Sequence, residues 1–293
     1  MRGLPKKVFL RGTGCALLVA GLLFGAQAPP RALAQAAGQT ASVPDFYSNN
    51  AGWVGIGNDL LPPPDGPGPV TSDPAHPYVS NALARQTGAQ PNFRVADLSN
   101  PILMPWVVEA LRAQNEEALS GAVVFTRESR CWPTGVPAFL LNPALPIYFL
   151  QTPEDVWIVL EPDHRVRHVY MNQPHSENPR PSWYGESVGH YEGDTLVVDT
   201  IGFNDETHVD NYRTPHTTQL HVVERFRVIE NGRILEAMIE VEDRDAFTTP
   251  WTAIRRFRRN DGRPLEEVAC AENNEAYFGF DVLPMPQDAT PDF

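Results

Sequence analysis

The chain has 293 residues, 42% hydrophobic, with 23 basic and 36 acidic side chains and a formal net charge of −13. That apolar share supports a sizeable core, as one large all-β domain or two small ones. The acidic balance argues against nucleic acid and anionic membrane surfaces as partners.

The N-terminus reads as a targeting segment. Arg2, Lys6 and Lys7 give a positive start, Cys15 to Phe24 is an apolar run, and Ala32-Leu33-Ala34 precedes Gln35 as an A-x-A cleavage site. The run is too short for a membrane span. Residues 1–34 therefore read as a secretory signal, with a periplasmic or secreted product and no membrane insertion after cleavage. They carry five basic residues and no acid, which leaves 18 basic against 36 acidic residues, net −18. Removal also leaves two cysteines, Cys131 and Cys270. An even pair in an oxidising compartment reads as a disulfide, with a catalytic thiol as the lesser alternative.

Residues 35–100 are rich in Pro, Gly, Asn, Asp and Ser. The stretch from Leu61 to Pro69 holds neither a helix nor a central strand, so an irregular arm is expected. Residues 105–119 form the one good helix candidate. Pro105 opens it, Trp106, Val107, Ala110 and Leu111 supply the apolar spacing, and Ser120-Gly121 ends it.

Strand patterns follow at residues 122–126, 146–150, 156–160 and 166–171, the last two flanking a turn that holds His164. A polar loop, 172–184, carries His175 and Trp183. The clearest hairpin comes next: Ser187 to Tyr191, the turn Glu192-Gly193-Asp194, and Thr195 to Ile201. Gly202-Phe203-Asn204-Asp205 breaks the strand, and a loop holds His208, Asp210, Tyr212 and His216. Further strands read at 219–228, 234–242 and 251–259, with Glu230-Asn231-Gly232 and Asp261-Gly262 as turns leading on to 265–270. This gives about nine short, mostly hairpin-linked strands with one main helix. The expected fold is mainly β: an antiparallel meander forming a lipocalin-like barrel, with a β-sandwich as the alternative. The expected organisation is a signal at 1–34, arm and helix at 35–120, β domain at 121–276 and polar tail at 277–293.

Strand periodicity places Leu220, Val222, Glu224, Phe226 and Val228 on one face and His221, Val223, Arg225 and Arg227 on the other. Glu224 is the polar residue on an apolar face. It is either ion-paired with Arg225 or another arginine, or functional. Seven of the eight histidines fall between His164 and His221. His164 and His190 read as solvated, whereas His175, His216 and His221 lie on loops or at a strand entrance, where sites gather.

Three readings compete. In a cofactor-free enzyme, His216, His221 or His175 acts as acid or base, and Asp199 or Glu224 orients it. Trp183, Asn204, Asp205, Tyr212 and Arg225 then contact a small, largely apolar substrate. That suits a lyase, isomerase, hydratase or hydrolase. In a binding module, the same barrel holds an apolar ligand. A metal site at His216, His221 and Glu224 is disfavoured, because His221 and Glu224 point to opposite faces. Gly185-Glu186-Ser187-Val188-Gly189 matches G-x-S-x-G in letters but lacks the strand-to-helix context of a nucleophile elbow.

The run from Ser187 to Asp205, with Cys131 to Pro137, Gln151-Thr152-Pro153, Leu220 to Phe226 and Glu272-Asn273-Asn274, resembles a large group of exported bacterial proteins. The likeness covers roughly residues 130–274. It implies a secreted β-rich domain and no particular activity. Members of the group carry a histidine where this chain has Glu186.

Overall fold

The computed structural model describes residues 43–47, 52–89, 93–120, 124, 127, 131–142, 146–161, 165–260, 265–268 and 270. All of these belong to one of two compact units, Ala41–Phe293. The segment at 1–34, the turn Asp261-Gly262 and the tail at 277–293 lie outside the described residues.

Nine strands close into a barrel in chain order: β1 (Gly52–Gly55), β2 (Ile147–Gln151), β3 (Asp155–Leu160), β4 (Arg165–Met171), β5 (Glu186–Glu192), β6 (Thr195–Ile201), β7 (His221–Ile229), β8 (Ile234–Glu242) and β9 (Trp251–Asn260). Alternation sends every second side chain inward. Trp53, Phe149, Phe226, Trp251 and Phe257, all essentially fully buried, fill the interior.

Two expectations are corrected. The meander is not wholly antiparallel: β4 and β5 pair in parallel, Val169 opposite Ser187. A parallel pair needs a crossover of about a dozen residues or more, and the 172–185 loop supplies it. The arm, expected to be irregular, also contributes to the sheet. Its four-residue strand β1 pairs with β9 over Gly52–Gly55 and with β2 at Trp53, closing the barrel. Of the strands expected at 122–126 and 265–270, Val124, residues 265–268 and Cys270 are described and carry no strand; the other positions lie outside the described residues.

The main helix, α2 (Pro105–Leu119), has the expected bounds, with Pro near its start and Val107, Leu111 and Asn115 buried. Asn115 pins the arm: its Oδ1 accepts from the Ala96 amide at 2.8 Å, and its Nδ2 donates to the Ala96 carbonyl at 2.9 Å. A shorter helix, α1 (Asn81–Thr87), starts at the Ser80 cap and stops at left-handed Gly88.

Segments outside the strands pack onto the barrel interior. Phe46 packs on Phe149 with ring centres 5.3 Å apart, and its carbonyl accepts from Trp53 Nε1 at 2.8 Å. Buried Arg255 donates from Nε to the Leu140 carbonyl at 2.9 Å. Cys131 and Cys270 are disulfide-bonded, which is compatible with an oxidising compartment. Among the described residues no helix is long and apolar enough to cross a membrane.

Candidate functional site

Two polar clusters stand on opposite sides of the same wall, β5–β6–β7. The outer one is centred on Asp199. Asp199 lies between Val188 of β5 and Val223 of β7. Two positions along each neighbour are Glu186 and His221, its diagonal neighbours on the outer face. The crossover loop brings His175 over the same spot. His175 Nδ1 lies 3.2 Å from Glu186 Oε1, and its Nε2 lies 3.0 Å from Asp199 Oδ1. His221 Nε2 lies 2.9 Å from the same Asp199 oxygen, and its Nδ1 is 3.9 Å from Glu242 Oε2. The result is a row that alternates carboxylate and imidazole: Glu186, His175, Asp199, His221, Glu242. Ser176 closes one end, its amide donating to Glu186 Oε1 at 2.7 Å and its hydroxyl to Oε2.

The electrostatics follow from these contacts. The Asp199 hydrogen bond raises the His221 pKa above its ordinary value, against the opposing effect of partial burial. In return His221, then His175, holds Asp199 below the usual carboxylate range. The Ser176 hydroxyl leads the effects that lower Glu186. A neutral imidazole has one N–H, so His175 donates to both Glu186 and Asp199 only when it carries two; His221 meets Asp199 alone at hydrogen-bond distance, with Glu242 at 3.9 Å. His221 is 36% exposed, within reach of solvent.

The inner cluster is centred on Glu224, which is fully buried. Its partner is Arg167 of β4, Nη1 to Oε2 2.5 Å. Arg167 also donates from Nε to Ser187 Oγ at 3.0 Å and from Nη2 to Thr200 Oγ1 at 2.6 Å. Its guanidinium lies 5.2 Å from the Phe139 ring centre. Burial pushes the Glu224 carboxyl up, and Arg167 offsets part of that rise.

Of the three candidate histidines, two come together. His175 and His221 meet at Asp199. His216 is buried elsewhere, with Nδ1 on the Thr217 carbonyl at 2.9 Å and Nε2 on the Thr207 hydroxyl at 2.7 Å. Those partners suit a neutral ring, and burial lowers its pKa. Glu224 stands on the far side of the wall from the histidines. Arg225 does not pair with it: Arg225 is on the outer face, bound to Glu192 at 2.7 Å. Tyr212 belongs to the core, and burial, then Asp59, pushes its hydroxyl up to about 12. Asn204 serves its own turn, accepting from the Glu206 amide at 3.3 Å. Asp205 acts on His216 through its charge. Trp183 packs on Trp132 at 5.6 Å between ring centres.

Sequence reading did not single out Ser176, Glu242 or Arg167. The period of two over 165–171, which puts Arg167 inward with Val169 and Met171, was the available signal for the last. Among the described residues no group of three or more His, Cys, Asp or Glu is arranged to hold a metal ion.

No protein-family model matches the chain, and no curated protein matches it. Among solved structures it is similar to three crystal structures of the fluorescent protein UnaG, the wild type and two single-residue variants. They are 14–16% identical, with TM-scores of 0.23–0.24, over 40–41% of this chain and 75–76% of theirs. Likeness at that level carries no functional statement. The fold itself, a closed nine-strand barrel, rests on the strand pairing.

Proposed function

We propose that this protein is an exported, cofactor-free enzyme that moves protons on a small, largely apolar organic substrate, as a lyase, isomerase, hydratase or hydrolase. The observation that supports this reading is the Glu186–His175–Asp199–His221–Glu242 row. His221, the solvent-reaching imidazole, acts as acid and base. Asp199 orients its ring and stabilises the protonated form. His175, anchored by Glu186, holds Asp199 from the other side. The test is a screen of small carbonyl compounds and esters for hydration, cleavage and C–H exchange in heavy water. His221→Ala is expected to lower the rate by roughly two to four orders of magnitude, and His216→Ala to leave it near the parent. Parental turnover in His221→Ala removes the assignment.

A second reading, a carrier of small apolar ligands, draws on one feature. Glu224 Oε1 is buried and has no hydrogen-bond partner among the described residues. Such an atom is the kind of anchor an interior ligand hydroxyl would satisfy. Displacement of a bound apolar fluorophore that is sensitive to Glu224→Gln and indifferent to His221→Ala favours this reading over the first.

A further inference from the structure

The histidine row holds four ring nitrogens, and three of them meet a carboxylate at hydrogen-bond distance. His175 Nδ1 meets Glu186, and His175 Nε2 and His221 Nε2 both meet Asp199 Oδ1. The fourth, His221 Nδ1, has no hydrogen-bond partner among the described residues. It faces Glu242 Oε2 at 3.9 Å, beyond hydrogen-bond distance. Both side chains reach solvent, His221 at 36% exposure and Glu242 at 56%.

The register builds this gap into the sheet. His221 and Glu242 stand directly opposite each other on β7 and β8. Their side chains therefore leave the same outer face, with Cβ atoms about 5 Å apart. Asp199 of β6 holds the ring from the other side, Nε2 to Oδ1 2.9 Å. An ionised carboxylate only accepts, so the neutral ring places its one hydrogen on Nε2 and presents a lone pair at Nδ1. The Glu242 carboxylate also only accepts. Two acceptors thus face each other across 3.9 Å, with no donor from the described residues between them.

A molecule with two donor hydrogens on one atom answers both. An oxygen about 2.8 Å from each acceptor sees them at an angle of about 90°, close to the angle between the hydrogens of water. An alcohol, with one hydrogen, answers only one. Val223, half-buried and two positions along β7 on the same face, is the apolar surface beside this seat.

We infer that His221 Nδ1 and Glu242 Oε2 seat a water molecule, and that this water is the nucleophile, with Nδ1 taking its proton. The inference rests on the acid–base reading of the row and narrows it to hydrolysis or hydration at a carbonyl carbon. In the first step the water oxygen bonds to the carbonyl carbon, the π pair moves to the carbonyl oxygen, and one water proton passes to Nδ1. The other hydrogen stays on the new hydroxyl, directed at Glu242. In hydrolysis the oxygen pair returns, the bond to the leaving oxygen breaks, and that oxygen takes the proton from Nδ1. In hydration the carbonyl oxygen takes it, giving the gem-diol. Between the steps the ring carries two N–H groups, and the Asp199 hydrogen bond favours that form against partial burial.

The test uses the oxidised, full chain and has two arms. In the first, protein labelled with heavy nitrogen in histidine is followed by long-range proton–nitrogen NMR in alkaline solution, where the ring carries one hydrogen. His221, assigned by the loss of its signals in His221→Ala, is expected in the Nε2–H form. The Nδ1–H form overturns the inference, and this arm needs no turnover. In the second, phenyl acetate hydrolysis and benzaldehyde oxygen exchange are followed in water labelled with heavy oxygen. Uptake of label above the rate without protein is expected, and its absence with both probes overturns the inference. Glu242→Gln is expected to lower kcat by about tenfold or more with KM within about twofold. Glu240→Gln, which removes the same charge one outward position away on β8, is expected to leave both within about twofold of the parent. Loss of turnover in His221→Ala but not in Glu242→Gln sinks the water seat and keeps the acid–base reading. So does exchange of acetone hydrogens into heavy water without label uptake by either probe. Parental rates in His221→Ala remove both. Circular dichroism of each variant separates loss of the site from loss of the fold.

Discussion

Nε2 of His221 lies 2.9 Å from Oδ1 of Asp199, across the β6–β7 pair. Each residue shifts the other: His221 is raised from 6.5 and Asp199 lowered from 3.8. The stability from the raised histidine is fully present below pH 6.5 and is lost as pH rises through its folded value. The stability from the lowered carboxyl is present above pH 3.8 and is lost as pH falls through its folded value. The pair therefore contributes most between those two ordinary values. Both side chains are more than a third exposed, so the effect is small. His221→Asn is expected to lower the melting temperature at pH 5.5 more than at pH 9, read by thermal denaturation. An equal gap at both pH values contradicts the pairing.

The same contact has a spectroscopic consequence. Asp199→Asn removes the anion that both imidazoles share, so the His221 ring protons are expected to titrate at lower pH than in the parent. A two-dimensional NMR titration reads this directly. An unmoved midpoint shows that the carboxylate is not what raises His221.

The inner pair predicts an asymmetry. Arg167→Ala strands a fully buried carboxylate at Glu224, at a cost of about 3–5 kcal/mol in urea unfolding. Replacing both partners, Arg167→Met with Glu224→Leu, is expected to be nearly neutral or mildly stabilising. A double variant as unstable as the single one indicates that the Ser187 and Thr200 hydroxyls, orphaned by the change, dominate instead.

The Cys131–Cys270 bridge spans 139 positions. Closing so long a loop stabilises by about 4–5 kcal/mol through the unfolded chain. The Cys131→Ser, Cys270→Ser double variant is expected to lose an amount of that order in chemical denaturation. Thiol titration of the unfolded, unreduced parent is expected to find no free thiol.

Legibility in the sequence followed the range of the interactions. The hairpin from Glu186 to Ile201 was readable because alternation and the Gly193 turn are local. The face of Glu224 was readable for the same reason, and so was its need for an arginine. Which arginine answers it was not, because Arg167 lies on β4, 57 positions earlier in the numbering. Strand β1 was hidden because Gly52 and Gly55 carry no strand pattern. Its structure comes from β9, far along the chain. The parallel step at β4–β5 was missed because a crossover without a helix looks like any polar loop. His175 and His216 looked alike as loop histidines. Only the fold separates one that reaches Asp199 from one sealed between Thr207 and Thr217.

The register that sets Gly52 opposite Asn260 imposes an order of events on the newborn chain. Strands β1 to β8 can zip together as they emerge, but the barrel stays an open, curled sheet until Trp251–Asn260 arrives. During that interval β1 and β8 are bare edges, each able to recruit another copy. Non-local closure of this kind is slow. Truncation or delay within the last strand is therefore expected to yield aggregates rather than a looser barrel, although no residue of the histidine row is touched.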